Sequence, residues 1–176
     1  MSTHPQDVYK DAGECVLFVY LRFNRQDQAA ELDAFRDFAD TSQAINRSMN
    51  IRAQGDDLRV SIGVSRNGWD YLFPGAARPQ ELEEFKGLVN AETPSIAMPE
   101  GIGADADLFL HIRAKREAVV YEVAEQYRLA FKDFARVVDE THGFRYLEGR
   151  AIIGFIDGTE NPTGIDAPMW AEVGSE

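Results

Sequence analysis

Leu108-Phe109-Leu110-His111-Ile112-Arg113 sets Leu108, Leu110 and Ile112 against Phe109, His111 and Arg113, the two-residue period of a strand with one buried face. From about Lys115 to Phe134 the period lengthens. Val120, Val123/Ala124, Tyr127, Ala130/Phe131 and Phe134 then share one helical stripe. A last strand is predicted over Ala135–Glu140, continuing across Phe144–Leu147. Working back towards the N-terminus, Thr93-Pro94 through Pro99-Glu100-Gly101 reads as loop, and a short helix fits Gln80–Leu88 with Leu82, Phe85 and Val89 inward. Asn67-Gly68 and Phe73-Pro74-Gly75 read as breaks, with Trp69, Tyr71, Leu72 and Phe73 as packing anchors. Before them Leu58, Val60, Ile62 and Val64 alternate with Arg59, Ser61 and Gly63 in a strand that follows a Gly55-Asp56-Asp57 turn.

Leu32, Phe35, Phe38/Ala39, Ser42 and Ile45 mark an earlier amphipathic helix, with Asn24 as its expected cap and Asp27 near its positive end. Glu14–Phe23 is an almost continuous apolar run, as in a central strand. Residues 1–13 read as a loosely held tail and 14–150 as the folded domain. Two long helices alternating with four strands suit an α+β, ferredoxin-like plan: a largely antiparallel four-stranded sheet with helices on one face.

Bulk properties narrow the function. A chain of 176 residues suits one domain. Its net charge of −12 argues against nucleic acid or an anionic membrane as partner. One cysteine, Cys15, cannot form an internal disulfide, and no apolar run reaches membrane-span length. The N-terminus lacks the pattern of a secretion or twin-arginine signal, so a cytoplasmic location is expected.

The candidate chemistry lies in 151–176. Ala151-Ile152-Ile153-Gly154-Phe155-Ile156 reads as a buried strand, after which Asp157-Gly158-Thr159-Glu160-Asn161-Pro162 turns polar and loop-forming. A carboxylate at the end of an apolar segment is partly desolvated, which raises its pKa. The same residue type in a loop also serves as a turn aspartate satisfied by backbone N–H groups. Asp157, Thr159 and Asn161 alternate as oxygen donors, but Pro162 stands where a calcium loop wants glycine, so no metal site is assigned.

Gly154-Phe155-Ile156-Asp157-Gly158 matches the G-x-x-D-G motif of the dye-decolourising haem peroxidases, and the longer Gly-Phe-Ile-Asp-Gly-Thr-Glu-Asn-Pro string is similar to their bacterial, cytoplasmic branch. Thr-His-Gly-Phe-Arg-Tyr at 141–146 and Asp-Leu-Phe-Leu-His-Ile-Arg-Ala at 107–114 resemble family segments in the same order, so the likeness runs from about Glu14 to the end. The resemblance implies one of two tandem ferredoxin-like halves, with 151–176 as the distal-haem loop and the start of a connection to a second half. It implies heme b as cofactor of the full-length parent, and hydrogen peroxide and a small-molecule reductant as reactants. Asp157 would be the distal acid/base, and Ile156, Gly158, Thr159, Glu160 and Asn161 would line the haem edge beside it. The family's proximal histidine and distal arginine belong to its second half. The isolated chain is therefore expected to bind haem weakly or not at all, and to pair with a complementary C-terminal half or form a homo-oligomer. The alternative is a non-catalytic ferredoxin-like module that self-associates or pairs with a complementary chain.

None of the three histidines matches the proximal position. His4 sits in the tail, His142 reads as an exposed turn residue and His111 as a structural one. Trp69, Trp170, Tyr20, Tyr71 and Tyr146 could relay electrons but read first as packing residues. Met169–Val173 looks like the opening of a further strand.

Overall fold

The computed structural model describes residues 6, 8–9, 13–83, 106–156, 162 and 166–171. Its elements are β1 (Cys15–Phe23), α1 (Gln28–Arg52), β2 (Arg59–Val64), α2 (Arg66–Leu72), β3 (Leu108–Ala114), α3 (Glu117–Phe131), β4 (Ala135–Phe144) and α4 (Ala167–Ala171). The four strands form one sheet in the order β2-β3-β1-β4, and every neighbouring pair is antiparallel. This is the expected α+β, ferredoxin-like plan.

Alternation decides which face is buried. Leu17, Val19 and Leu21 of β1 lie opposite Ile112, Leu110 and Leu108 of β3, and all six are fully or almost fully buried. Phe38 and Met49 of α1 and Val120, Val123, Tyr127 and Phe131 of α3 close over that face in the same core. Each fully buried Leu or Phe contributes about 1.5–3 kcal/mol of transfer free energy. The helices meet edge to face, with the Phe38 ring 5.3 Å from Tyr127 and 6.2 Å from Phe131. Tyr127 donates its hydroxyl proton to Asn46 Oδ1 at 2.9 Å, and burial pushes its pKa up to about 12.

Several expectations need correction. Asn24 does not cap α1: its side-chain amide donates to the Asp133 carbonyl, and Asp27 is the cap, accepting from Ala29 and Ala30 N–H. A buried carboxylate pair shapes this entry. Asp107 accepts from Phe23 N–H at 2.9 Å and Arg25 Nη2 at 2.7 Å, and Glu31 accepts from Arg25 and Gln26 N–H. Arg25, at φ 59°, turns the chain between them.

Asn67-Gly68 is likewise no break but part of α2, capped by Ser65, whose Oγ accepts from Gly68 N–H. The glycine is there for a close approach, since a Cβ would lie 2.4 Å from the Asp107 carbonyl oxygen. Phe73-Pro74-Gly75 does end the helix, with Gly75 at φ +83°. Of the helix expected at 80–88, Gln80 and Glu81 form a turn, and everything from residue 84 to 105 lies outside the described residues. β4 runs unbroken to Phe144, with a bulge where β1 passes from Tyr20 to Leu21.

The largest departure is at 151–156. The expected buried strand is a set of turns whose ladder pairing is one antiparallel bridge, Arg150 to Ile156, and Ile152, Ile153 and Phe155 are 80, 81 and 72% exposed. An apolar run becomes a buried strand when a sheet edge and a covering layer receive it, and among the described residues neither does. Ala167–Ala171 is a short helix where a strand was expected, and Trp170 on it is 74% exposed.

Candidate functional site

β4 ends at Phe144, and the chain then folds back on itself as a hook leading to the motif. Arg145 N–H donates to the Glu14 carbonyl at 2.7 Å, tying the start of the hook to the sheet. Gly149 and Arg150 N–H donate to the Tyr146 carbonyl at 3.0 and 3.1 Å, closing a turn. Ala151 N–H donates to the Phe155 carbonyl and Gly154 N–H to the Ala151 carbonyl, each at 2.7 Å. Gly154 makes the reversal at φ +103°, a region that L side chains rarely adopt. The side chains of Ile152, Ile153, Phe155 and Ile156 are all mostly exposed.

Ile156 is thus placed at the end of the hook, 56% exposed and bridged to Arg150. Asp157, Gly158, Thr159, Glu160 and Asn161 lie outside the described residues. Arg150 closes the hook. Its guanidinium holds Glu148 by Nε at 3.0 Å and by Nη2, and donates from Nη1 to the Gly154 carbonyl at 2.9 Å. This hydrogen bond keeps the Glu148 carboxyl below its usual range. A lone cation between Gly149 and an apolar run was the available signal. The Asp107–Arg25 pair was missed too, although an acid opening an apolar strand could have drawn notice.

The described histidines are otherwise engaged. The His111 ring lies tilted against Phe18, centroids 4.7 Å apart, and its Nδ1 faces Arg113 Nη1 at 3.0 Å. Burial first, then the Arg113 charge, push its pKa down to about 4. It is therefore neutral near pH 7, accepting at Nδ1. His142 is exposed and lies 2.9 Å from Glu140. Among the described residues no group of three His, Cys, Asp or Glu is arranged to hold a metal ion, and no helix is long and apolar enough to cross a membrane.

A haem needs apolar walls for its flat macrocycle and an axial ligand for iron. The hook's four exposed apolar side chains fit one such wall. A groove of about 560 Å³ between α1 and β2, lined by Phe35, Ala39, Val60, Ile62 and Val64 with Gln6, Ser42, Gln43 and Asn46, contains no histidine.

The sequence model described as Dyp-type peroxidase, N-terminal, matches residues 5–145. The chain belongs to the Dyp-type peroxidase family. It is 32% identical over 172 residues to a dye-decolorizing peroxidase of Rhodococcus erythropolis, covering 98% of this chain and 47% of the relative. A crystal structure of a dye-decolorizing peroxidase from Bacteroides thetaiotaomicron superposes with a TM-score of 0.78 at 35% identity, over 92% of this chain and 50% of that one. A Rhodococcus jostii DypB variant solved in complex with heme gives a TM-score of 0.78 at 30% identity, over 94% of this chain and 50% of that one. The chain spans about half the length of the relatives it matches.

Proposed function

We propose that this chain is the N-terminal half of a cytoplasmic haem peroxidase in which Asp157 moves the peroxide proton. The supporting observation is the hook: Gly154, Phe155 and Ile156, which open the family's G-x-x-D-G motif, lie on a self-bonded turn whose apolar side chains are mostly exposed. Exposed apolar residues clustered this way are surface awaiting cover. Ile156 and the loop Asp157–Asn161 would hold the edge of the haem, with Ile152, Ile153 and Phe155 as its apolar surroundings. Bound haem would supply the redox chemistry that carries electrons from a small-molecule reductant to hydrogen peroxide.

The chain's own part is proton handling. A carboxylate, with an ordinary pKa of about 3.9, remains a base in mildly acidic solution, where an imidazole would be protonated. Asp157 would accept one proton of hydrogen peroxide and return it to the departing oxygen, which leaves as water, a role worth about 10²–10⁴ in rate. The axial imidazole and the compensating cation would come from a complementary C-terminal half, and the hook would dock there. Replacing Asp157 by Asn in the complete haem-loaded enzyme keeps size and removes the base. Peroxide reduction measured by rapid mixing is expected to fall at least about 100-fold. An unchanged rate would contradict the role.

The same exposed residues favour a second reading, a ferredoxin-like module that pairs with its own copy through the hook. Light scattering separates the two: a discrete haem-free dimer supports the module, and a stable complex with the C-terminal half supports the proposal.

A further inference from the structure

The sheet has two edges, and they are finished differently. β4 carries Arg136, Asp139, Glu140 and His142 along its length, and a bulge opposite the Tyr20–Leu21 step. Charges and bulges are how an edge strand refuses a further strand. β2 has neither defence. It pairs with β3 in one unbroken register, and after Arg59 its run Val60-Ser61-Ile62-Gly63-Val64 holds no charge and no proline. The backbone of Ile62 faces outward, since both of its polar groups bond to the side-chain amide of Gln6. Gln6 Nε2 donates to the Ile62 carbonyl at 2.9 Å, and Gln6 Oε1 accepts from the Ile62 N–H. Alternation in an antiparallel ladder turns the N–H and carbonyl of Val60 and Val64 the same way. A primary amide offers a donor and an acceptor as a peptide backbone does, so Gln6 stands where an added strand would lie. Beneath it is the groove between α1 and β2, whose lining the half-buried side chains of Val60, Ile62 and Val64 share with Phe35 and Ala39.

We infer that the β2 edge is a strand-pairing surface for a second copy of this chain, the two β2 strands running antiparallel about a dyad at Ile62, and that Gln6 is the guard that must leave first. The edge complements itself in that register. Ile62 falls opposite Ile62 and Val60 opposite Val64, so each pair joins β-branched side chains on the groove side. On the other side Ser61 meets Gly63 and Arg59 meets Ser65, and no two like charges are opposed. Each apolar pair exchanges both backbone hydrogen bonds, because these residues present theirs outward. A ladder thus replaces the two bonds made by Gln6, and the apolar walls of both grooves gain cover. Each copy carries a net charge of −12, so association is expected to tighten as salt screens the repulsion. The inference depends neither on the role of Asp157 nor on the hook.

Gln6→Ala removes the guard at an exposed position. Sedimentation equilibrium of the purified chain is expected to give this variant a dimer dissociation constant at least about tenfold below that of wild type. Amide exchange at Val60, Ile62 and Val64 should slow as its concentration rises, and exchange along β4 should not. The dyad is tested by adding Ile62→Lys or Ile62→Glu to Gln6→Ala. Each alone sets like charges opposite one another and should be monomeric, whereas an equal mixture of the two should dimerise. A mixture that stays monomeric, with each variant melting cooperatively, overturns the dyad. A Gln6→Ala chain no more associated than wild type overturns the whole inference. So does a dimer lost with Ile153→Ser in the hook but kept with Ile62→Lys, or protection of the β2 amides that follows an added C-terminal half rather than concentration.

Discussion

The sheet and the hook are both rich in apolar residues, yet they use them in opposite ways. In β1 and β3, Leu17, Leu21, Leu108, Leu110 and Ile112 are at most 1% exposed, each facing a partner across the strand pair and a helix above it. In the hook, Ile152 and Ile153 are at least 80% exposed. Hydrophobicity in itself does not place a residue inside. Burial requires a neighbour that also has apolar surface to hide, and the hook has none among the described residues. A segment built this way adds little to the stability of its own domain, which sets the order of the expected effects.

The largest falls on the sheet core. Phe38→Ala removes the ring shared by Tyr127, Phe131 and Phe134 and is expected to cost about 3–5 kcal/mol in chemical denaturation of the isolated chain. A loss below about 1 kcal/mol would mean that the core is far looser than its packing implies. Next comes Gly68→Ala. The added methyl meets a backbone carbonyl that cannot swing aside, so about 1–3 kcal/mol of destabilisation is expected.

A smaller effect is set by pH. His111 is held neutral in the fold, with a pKa pushed down to about 4 from an ordinary value near 6.5. The unfolded chain therefore binds more protons between those values, and stability is lost as pH falls from about 6.5 towards 4. His111→Phe should flatten the melting temperature across that window. The smallest stability change is expected in the hook: Ile153→Ser should alter the stability of the isolated chain by no more than about 0.5 kcal/mol. The same substitution should weaken capture of a complementary half by at least about tenfold, because a methylene-rich side chain loses its cover there.

This contrast also explains what the sequence revealed. The strands and both long helices were legible because period-two and helical patterns record which face meets the core. Ser42 and Tyr127 fell on the right stripes for that reason. Asn67-Gly68 misled, because the glycine answers to Asp107, a residue some forty positions away, rather than to a local turn. Asn24 misled similarly, drawn off to the Asp133 carbonyl while Asp27 took the cap. The run at 151–156 carried the composition of a buried strand, but whether a partner exists is not written in a run of isoleucines. Arg150 escaped notice because its partners, Glu148 and Gly154, become neighbours only once the hook has closed.

In the proposed enzyme this chain supplies the acid while the iron ligand comes from elsewhere. Titration of the purified chain with haemin, followed by absorbance, tests it most directly. No sharp, stoichiometric, histidine-ligated Soret band is expected from the chain alone, and such a band is expected once a C-terminal half is added. A tight one-to-one histidine-ligated spectrum from the isolated chain would contradict it.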